Sequence, residues 1–363
     1  SWPATVLLQP TTVTLPTITG ITFGTPDFSV EVNTTPSPRT VGTDVLPAGP
    51  YLRAVMTGLT VTVGSEGSFT ADVAITRSGT GPTAETVIAA TNVTATIGGD
   101  GLYEGQGALI IRAAGIAGFV SGQASAGGSG VSIEGSVLLQ INTMTTAIDT
   151  VVDVGGTDVV IKIAAAPAAN DPFFSLTASD VTVTIGDFIT IEGSVTYSDA
   201  VVGGAPAQVF AGSGLSIFLG RGPAFLDSGA VNPLAVGVLL TDATIGVVSI
   251  GTGHAFVATG TVSLIGVPGV TVTGTTSVRI NTTGQAVNTT IEIPGSTEPG
   301  VAVVFEGAAE VKQFQVSAAT LAFAGQSLTG TFSFGRTTEE ITLGVTGGAI
   351  ALGDAVTLGA ITG

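Results

Sequence analysis

The stretch Gly269–Thr283, GVTVTGTTSVRINTT, decides the fold. Read at period two, Val270, Val272, Val278 and Ile280 share one side, and Thr271, Thr273, Thr275, Ser277, Arg279 and Asn281 share the other. Successive side chains of a strand point to opposite faces, so the alternation is that of a long, half-buried β-strand. It predicts Val270, Val272, Val278 and Ile280 inside, with Thr271, Thr273, Arg279 and Asn281 more exposed. The segment occurs earlier as Gly130–Thr143, GVSIEGSVLLQINT, and in weaker form as Phe28–Thr35, FSVEVNTT. Each copy reaches its Asn-Thr ending with the same parity.

Working outward, the spacing shows a tandem repeat. Asn142 and Asn281 are 281 − 142 = 139 residues apart. A second marker, the hairpin-like VTVTIGDFITIEGSVTY (Val181–Tyr197), recurs as LAFAGQSLTGTFSF (Leu321–Phe334), and Gly186 to Gly325 is again 139. An earlier copy, LTVTVGSEGSFTADVAI (Leu59–Ile75), places Gly64 at 122 residues before Gly186, and Asn33 stands 109 before Asn142. The first unit is therefore shorter. Two independent markers with one period indicate stacked units, each burying its apolar face on the next. The expected fold is all-β with negligible helix. It is an elongated tandem-repeat array, either a β-solenoid-like rod or stacked antiparallel β-sandwich units.

Boundaries follow from the markers. Residues 1–27, rich in Pro and Thr, form an extended lead-in or edge strand, because Pro cannot donate to a central ladder. Residues 28–143 are a first, shorter unit, 144–282 a second, and 283–363 a partial third. Further alternating runs stand at Thr86–Ile97, Gln208–Leu219, Ala235–Ile250, His254–Ile265 and Val301–Phe305. The lead-in and the C-terminal stretch Ile341–Gly363 are expected to act as interfaces. Open strand edges pair with other strands, which would join copies end to end.

Composition narrows the function classes. Charged residues make up 10% of the 363, well below the usual quarter, and Gly contributes 53. Such a chain fills its interior with small aliphatic and β-branched side chains, which suits thin, regular sheets. No apolar run has the length of a membrane helix, and the scarcity of Tyr and Trp argues against the aromatic girdles of a membrane barrel. A net charge of −17 argues against nucleic acid and against anionic lipid as partners. Without Cys there are neither disulfides nor thiolate metal sites.

Candidate chemistry is thin, and no catalytic, cofactor-binding or metal residue is assigned. The only His, His254, has Ser249 and Ser263 nearby in sequence, but there is no GxSxG elbow. The residue 139 positions earlier is Gly115, so the repeat does not call for an imidazole there. Calcium is the cation that suits an oxygen-only chain, through Asp149, Asp153 and Asp158 or through Asp180 and Asp187. None of these matches DxDxDG or GGxGxD, and they read as solvated turn carboxylates. Glu134 and Glu192, a notional glycosidase pair, have Thr273 and Thr331 as repeat equivalents and read as exposed strand positions. A buried Lys162 beside Asn and Glu would suit an isopeptide cross-link, yet Lys312 is the only other Lys and occupies no matching position. Sequons occur at Asn33, Asn92, Asn281 and Asn288.

The Thr/Val/Gly-rich, Cys-free, acidic units with their V-x-I-N-T-T strand ending resemble repeats of very large bacterial surface and adhesin-like proteins. The resemblance covers Phe28 to the C-terminus and is one of composition and repeat style. It implies an extracellular, cell-surface, all-β stalk or filament and transfers no site residues. The expected function is structural, a non-enzymatic rod, filament or surface-layer segment that self-associates or continues into further repeats. The alternative is an adhesin stalk or binding module that takes a glycan or cell surface through its loops. Trp2, Tyr51, Tyr103 and Tyr197 are few and scattered for a glycan platform.

Overall fold

A computed structural model describes residues 5–8, 21–65, 67–98, 100–128, 131–169, 171–185, 189–226, 228, 230–294, 296–336, 341–352 and 356–362. Trp2, Gly186 and Asp187, weighed above, lie outside them. The chain is all-β. Among the described residues the one helical element is a single 3-10 turn at Gly81–Thr83.

The strands fall into a recurring order. First come β1 Thr5–Leu8, β2 Ile21–Phe23 and β3 Asp27–Asn33, then a short ribbon of β4 Arg39–Val41 and β5 Asp44–Leu46. Six long strands follow: β6 Tyr51–Val63, β7 Gly67–Ser78, β8 Glu85–Ile97, β9 Asp100–Arg112, β10 Gly115–Gly128 and β11 Val131–Asn142. A second ribbon, β12 Ile148–Val154 and β13 Thr157–Ile163, leads into six more: β14 Phe173–Ile185, β15 Ile189–Val202, β16 Ala205–Arg221, β17 Val236–Ile250, β18 Gly253–Ile265 and β19 Val270–Asn281. A third ribbon, β20 Val287–Ile291 and β21 Val301–Phe305, precedes β22 Val311–Phe323, β23 Gln326–Arg336, β24 Ile341–Leu352 and β25 Val356–Ile361. The repeat is six long strands and one ribbon.

Pairing is antiparallel throughout. Strands β6 to β10 form a meander, as do β15 to β19, and the ladder passes over the ribbons, from β3 to β6 and from β19 to β22. The antiparallel pairing belongs to the second of the two arrangements left open by the sequence. Among the described residues its sheet-on-sheet layering is confined to the two-stranded ribbons laid on the long strands. Within the lead-in, Thr5–Leu8 pairs with Val30–Asn33, and Ile21–Phe23 pairs with Val61–Val63. The hairpins anticipated around Gly64 and Gly325 are β6–β7 and β22–β23.

Two compact units divide the chain: Ser1–Ala126 with Ser136–Leu176, and Gly127–Gly135 with Thr177–Gly363. In the first, the β12–β13 ribbon lies on one half of the long strands. Val159, Ile161 and Ile163 point down, while Asp158, Val160 and Lys162 point out. They land on Ala74, Ala89 and Ala117, which are fully or almost fully buried. In the second, Val301, Val303 and Phe305 of β21 land on Ala211, Val248 and Ala255 in the same way. An alanine floor lets the aliphatic ribbon approach the sheet backbone closely. At Gly246 there is no space for even a Cβ, which would stand 2.6 Å from Val303 Cγ2.

A line of bulges crosses the strands near their middles. In each repeat the first, third and fourth long strands hold one residue in left-handed backbone. These are Gly58, Asn92 and Glu104, then Asp180, Gly214 and Asp242, then Ala318, Gly347 and Ala360, with φ from +49° to +69°. Register shifts accompany them between Met56 and Leu59, Ala90 and Val93, Thr241 and Thr244, and Val316 and Ala319. The second long strand satisfies the N–H of the first. Gly58 donates to Asp72 Oδ1 (2.7 Å), Asp180 to Ser194 Oγ (3.1 Å) and Ala318 to Thr331 Oγ1 (3.4 Å). An extra residue at a bulge changes which parity faces which way. Ile88 and Ala90 therefore share a face with Val93 and Ala95 on β8.

Candidate functional site: a repeated joint and an apolar sheet face

The three marker asparagines use their buried side chains in one and the same way. Asn33, Asn142 and Asn281 are each 0% exposed, a correction to the parity reading that placed Asn281 toward solvent. Each ends the strand before a ribbon and clamps both ends of the ribbon excursion. Asn142 Nδ2 donates to Thr146 O (3.0 Å) at the departure and to Ala164 O (2.8 Å) at the return, while its Oδ1 accepts from Met144 N (2.8 Å). Asn281 repeats this with Gln285 O (3.0 Å), Gly307 O (3.3 Å) and Thr283 N (3.1 Å). Asn33 does so with Ser37 O (3.0 Å), Pro47 O (2.6 Å) and Thr35 N (2.9 Å). Only an amide offers two donors and an acceptor on so short a stem. A buried amide satisfied in this way fixes where the chain leaves the sheet and where it comes back.

The neighbouring threonine adds a second fastener. Thr143 N and Oγ1 bond Ile116 O, and Ile116 N bonds Thr143 Oγ1 (2.9 Å). Thr282 makes the same three bonds with His254. The structural equivalent of His254 is thus Ile116, one residue beyond the Gly115 given by counting.

Other residues singled out in the sequence are placed as follows. Ser249 Oγ stands 2.9 Å from His254 Nδ1 across the β17–β18 turn, both in an exposed setting, and Ser263 Oγ lies against Leu239 O instead. Asp153 pairs with Arg53 and accepts from Gly156 N (2.9 Å) in its own turn, while Asp149 and Asp158 are exposed on the ribbon. Among the described residues no three His, Cys, Asp or Glu side chains gather as a metal site. Lys162 points outward on β13, which overturns the idea of a buried lysine, and Lys312 pairs with Glu310. The sequons at Asn33 and Asn281 are sealed inside the joint, whereas Asn288 is exposed on β20.

Arg53 is the centre of the largest charge cluster in the first unit. Its Nη1 bonds Glu31 Oε1 (2.9 Å) on β3 while Nη2 reaches Asp153 on the ribbon. Burial works against its charge, but Glu31 and Asp153 outweigh burial and hold its pKa above the usual value. Tyr51 donates to Glu31 Oε2 (3.2 Å), and burial first, then the Glu31 charge, push its pKa up to about 12. In the second unit Arg279 fixes the ribbon differently. Its guanidinium lies 4.8 Å from the Phe305 ring centre and donates to Val304 O (2.6 Å).

The two faces of the long strands differ. Under the ribbon the covered face is the core. Beyond the bulges the same face is covered on β16 and β17, where Phe218 and Leu239 pack with Ala224 and Ala235. From there on it carries hydroxyls in register, Thr241, Thr261 and Thr275 in one row and Ser263, Thr273, Thr320 and Thr329 in the next. The opposite face is mainly apolar on both sides of the bulges, with a polar row, Asp199, Gln208, Ser249 and His254, near one end in the second unit. Phe210, Val247, Phe256 and Ile280 stand in one row, and Val272, Leu321, Leu328 and Ile350 in another. A furrow of about 240 Å³ runs along Val272, Leu321 and Leu328, and one of about 370 Å³ in the first unit runs along Phe69, Ile88, Leu102 and Val120. Sequence periodicity saw the strands but missed this face, because each bulge shifts its parity.

Comparison with known proteins finds no matching family model, and no curated protein or solved structure is similar enough to count as a match.

Proposed function

We propose that the chain is a structural protein, a repeat scaffold whose work is to build a rod, filament or surface layer by stacking units and adding strands. The observation that carries this reading is the Asn joint, made three times with the same acceptor and donor geometry. Three buried asparagines, Asn33, Asn142 and Asn281, reproduce one architectural connection, and the sheet grows across it by the same rule from β3 to β6 and from β19 to β22. In this reading the chain has no reaction of its own, and His254 is a strand-start residue held by its backbone. The setting is the cell exterior, as the resemblance in composition and repeat style implies. Negative-stain imaging of the purified chain over a concentration series tests the proposal. Filaments or sheets that grow with concentration are the expected result, and separate particles at every concentration would sink it.

A further inference from the structure

The apolar face opposite the ribbons is too large and too free of charge to be a bystander. In the second unit it spans β18, β19, β22 and β23. Phe314 is 44% exposed, Leu321 49%, Phe323 63% and Leu328 37%, standing around a furrow floored by Val272 and Val316. Soluble monomers rarely leave contiguous apolar patches beyond a few hundred Å² open. With strands about 4.8 Å apart and about 3.3 Å per residue, four strands of some twelve residues present roughly 800 Å². That is about what each partner contributes to a stable protein pair.

We infer that this face is a docking surface for a second copy of the chain, which packs its own equivalent face upon it as sheet on sheet. The inference rests on the self-associating scaffold proposed above and names the surface that would do it. Three features favour a second copy over another occupant. The face holds both the knobs, Phe314 and Phe323, and the furrow that receives knobs, so it is complementary to itself as an isologous contact requires. Among the described side chains its one charged group is Lys312, at the end of the face and already paired with Glu310, so nothing on it would attract a charged partner. The carboxylates described nearest to it, Glu292, Glu298, Glu306 and Glu310, stand on the loops before and after β21, where two copies packed face to face keep them in water. Two such sheets pack with their strands about 30° apart, their inner side chains interleaved.

The experiment is the oligomeric state of the full chain by light scattering and sedimentation velocity at micromolar concentration. The wild type should contain a dimer as its smallest stable species. Leu321→Lys and Phe323→Lys, at exposed positions that leave the fold intact by circular dichroism, should each halve the mass. Thr271→Lys and Gln315→Lys, on the same strands but facing the other way, should leave the dimer unchanged. A wild-type monomer would overturn the inference and mean that some other partner, or none, covers the face. So would a dimer untouched by Leu321→Lys and Phe323→Lys, or one that Gln315→Lys dissolves equally well. The two proposals separate cleanly. A dimer dissolved by Leu321→Lys without any filament keeps this inference and sinks the scaffold, while filaments indifferent to Leu321→Lys do the reverse.

Discussion

In β18 and β19 the half of the strand beneath the ribbon and the half beyond the bulges have the same backbone and similar composition, yet they are different materials. Under the β20–β21 ribbon, Arg279 and Asn281 of β19 lie in a packed layer with every polar atom of the asparagine used. A few residues earlier on the same face, Thr271, Thr273 and Thr275 are exposed. The difference is supplied by a ribbon folded back from the strand's own end, not by the strand. A β-strand thus has no inside until something lies on it, and here the Asn joint decides where that happens.

The largest effect should come from opening a joint. Asn142→Ala leaves the buried Met144 N–H without a partner, at about 1–3 kcal/mol, and releases the partly buried carbonyls of Thr146 and Ala164 that hold the two ends of the ribbon. We expect the first unit to lose about 3 kcal/mol in urea unfolding, with early proteolysis in the β12–β13 ribbon. A loss under about 0.5 kcal/mol, the range of an ordinary surface change, would show that the joint holds nothing.

Next comes the closeness of ribbon and floor. A valine at Gly246 must displace Val301 and Val303, whose methyls already stand 2.9 and 2.6 Å from an added Cβ. Overpacking of this kind costs about 1–3 kcal/mol. The matching change on the bare half, Thr273→Val, should stay within about 0.5 kcal/mol. Equal costs at the two positions would erase the distinction between the halves.

These contrasts also explain what was legible in the sequence. The strands, the period and the ribbons' alternation could be read directly, because each is local and repeats. The burial of Asn281 could not, since it depends on Gly307 returning 26 residues later. Its parity with Thr271 and Thr273 pointed the other way, and that reading held only for the bare half. The bulges were hidden for another reason. Left-handed backbone usually announces itself as Gly, yet here it falls on Asn92, Glu104, Asp180, Asp242 and Ala318 as well. The shift of the apolar pattern from Ile88 and Ala90 to Val93 and Ala95 is therefore invisible in the single alternating run Thr86–Ile97.

The bulge line itself offers a smaller test. A left-handed alanine costs about 1–2 kcal/mol, part of which glycine's greater freedom in the unfolded chain takes back. Ala318→Gly should therefore stabilise the second unit by about 0.5 kcal/mol, because Gly214 and Gly347 already hold this conformation in their own strands. Destabilisation in urea would mean that the methyl group, not the bulge, is what β22 needs.

The smallest effect separates the covered half by pH. Tyr51 opens β6, and its hydroxyl donates to Glu31, which also holds Arg53 beneath the ribbon's Asp153. Burial, reinforced by the Glu31 carboxylate, disfavours the phenolate and raises the folded pKa from 10 to about 12. Below pH 10 the folded and unfolded chains both keep this proton, so the contribution is fully present. As pH rises from 10 towards 12 the unfolded chain releases the proton first, and stability is lost through that window. Tyr51→Phe removes the titration while keeping the ring. The variant should be slightly weaker at pH 8, lacking one hydrogen bond, and its unfolding midpoint should fall less steeply than the wild type between pH 10 and 12. Parallel curves through that window would show that the Tyr51 hydroxyl is no more enclosed than one on the bare half of the strands.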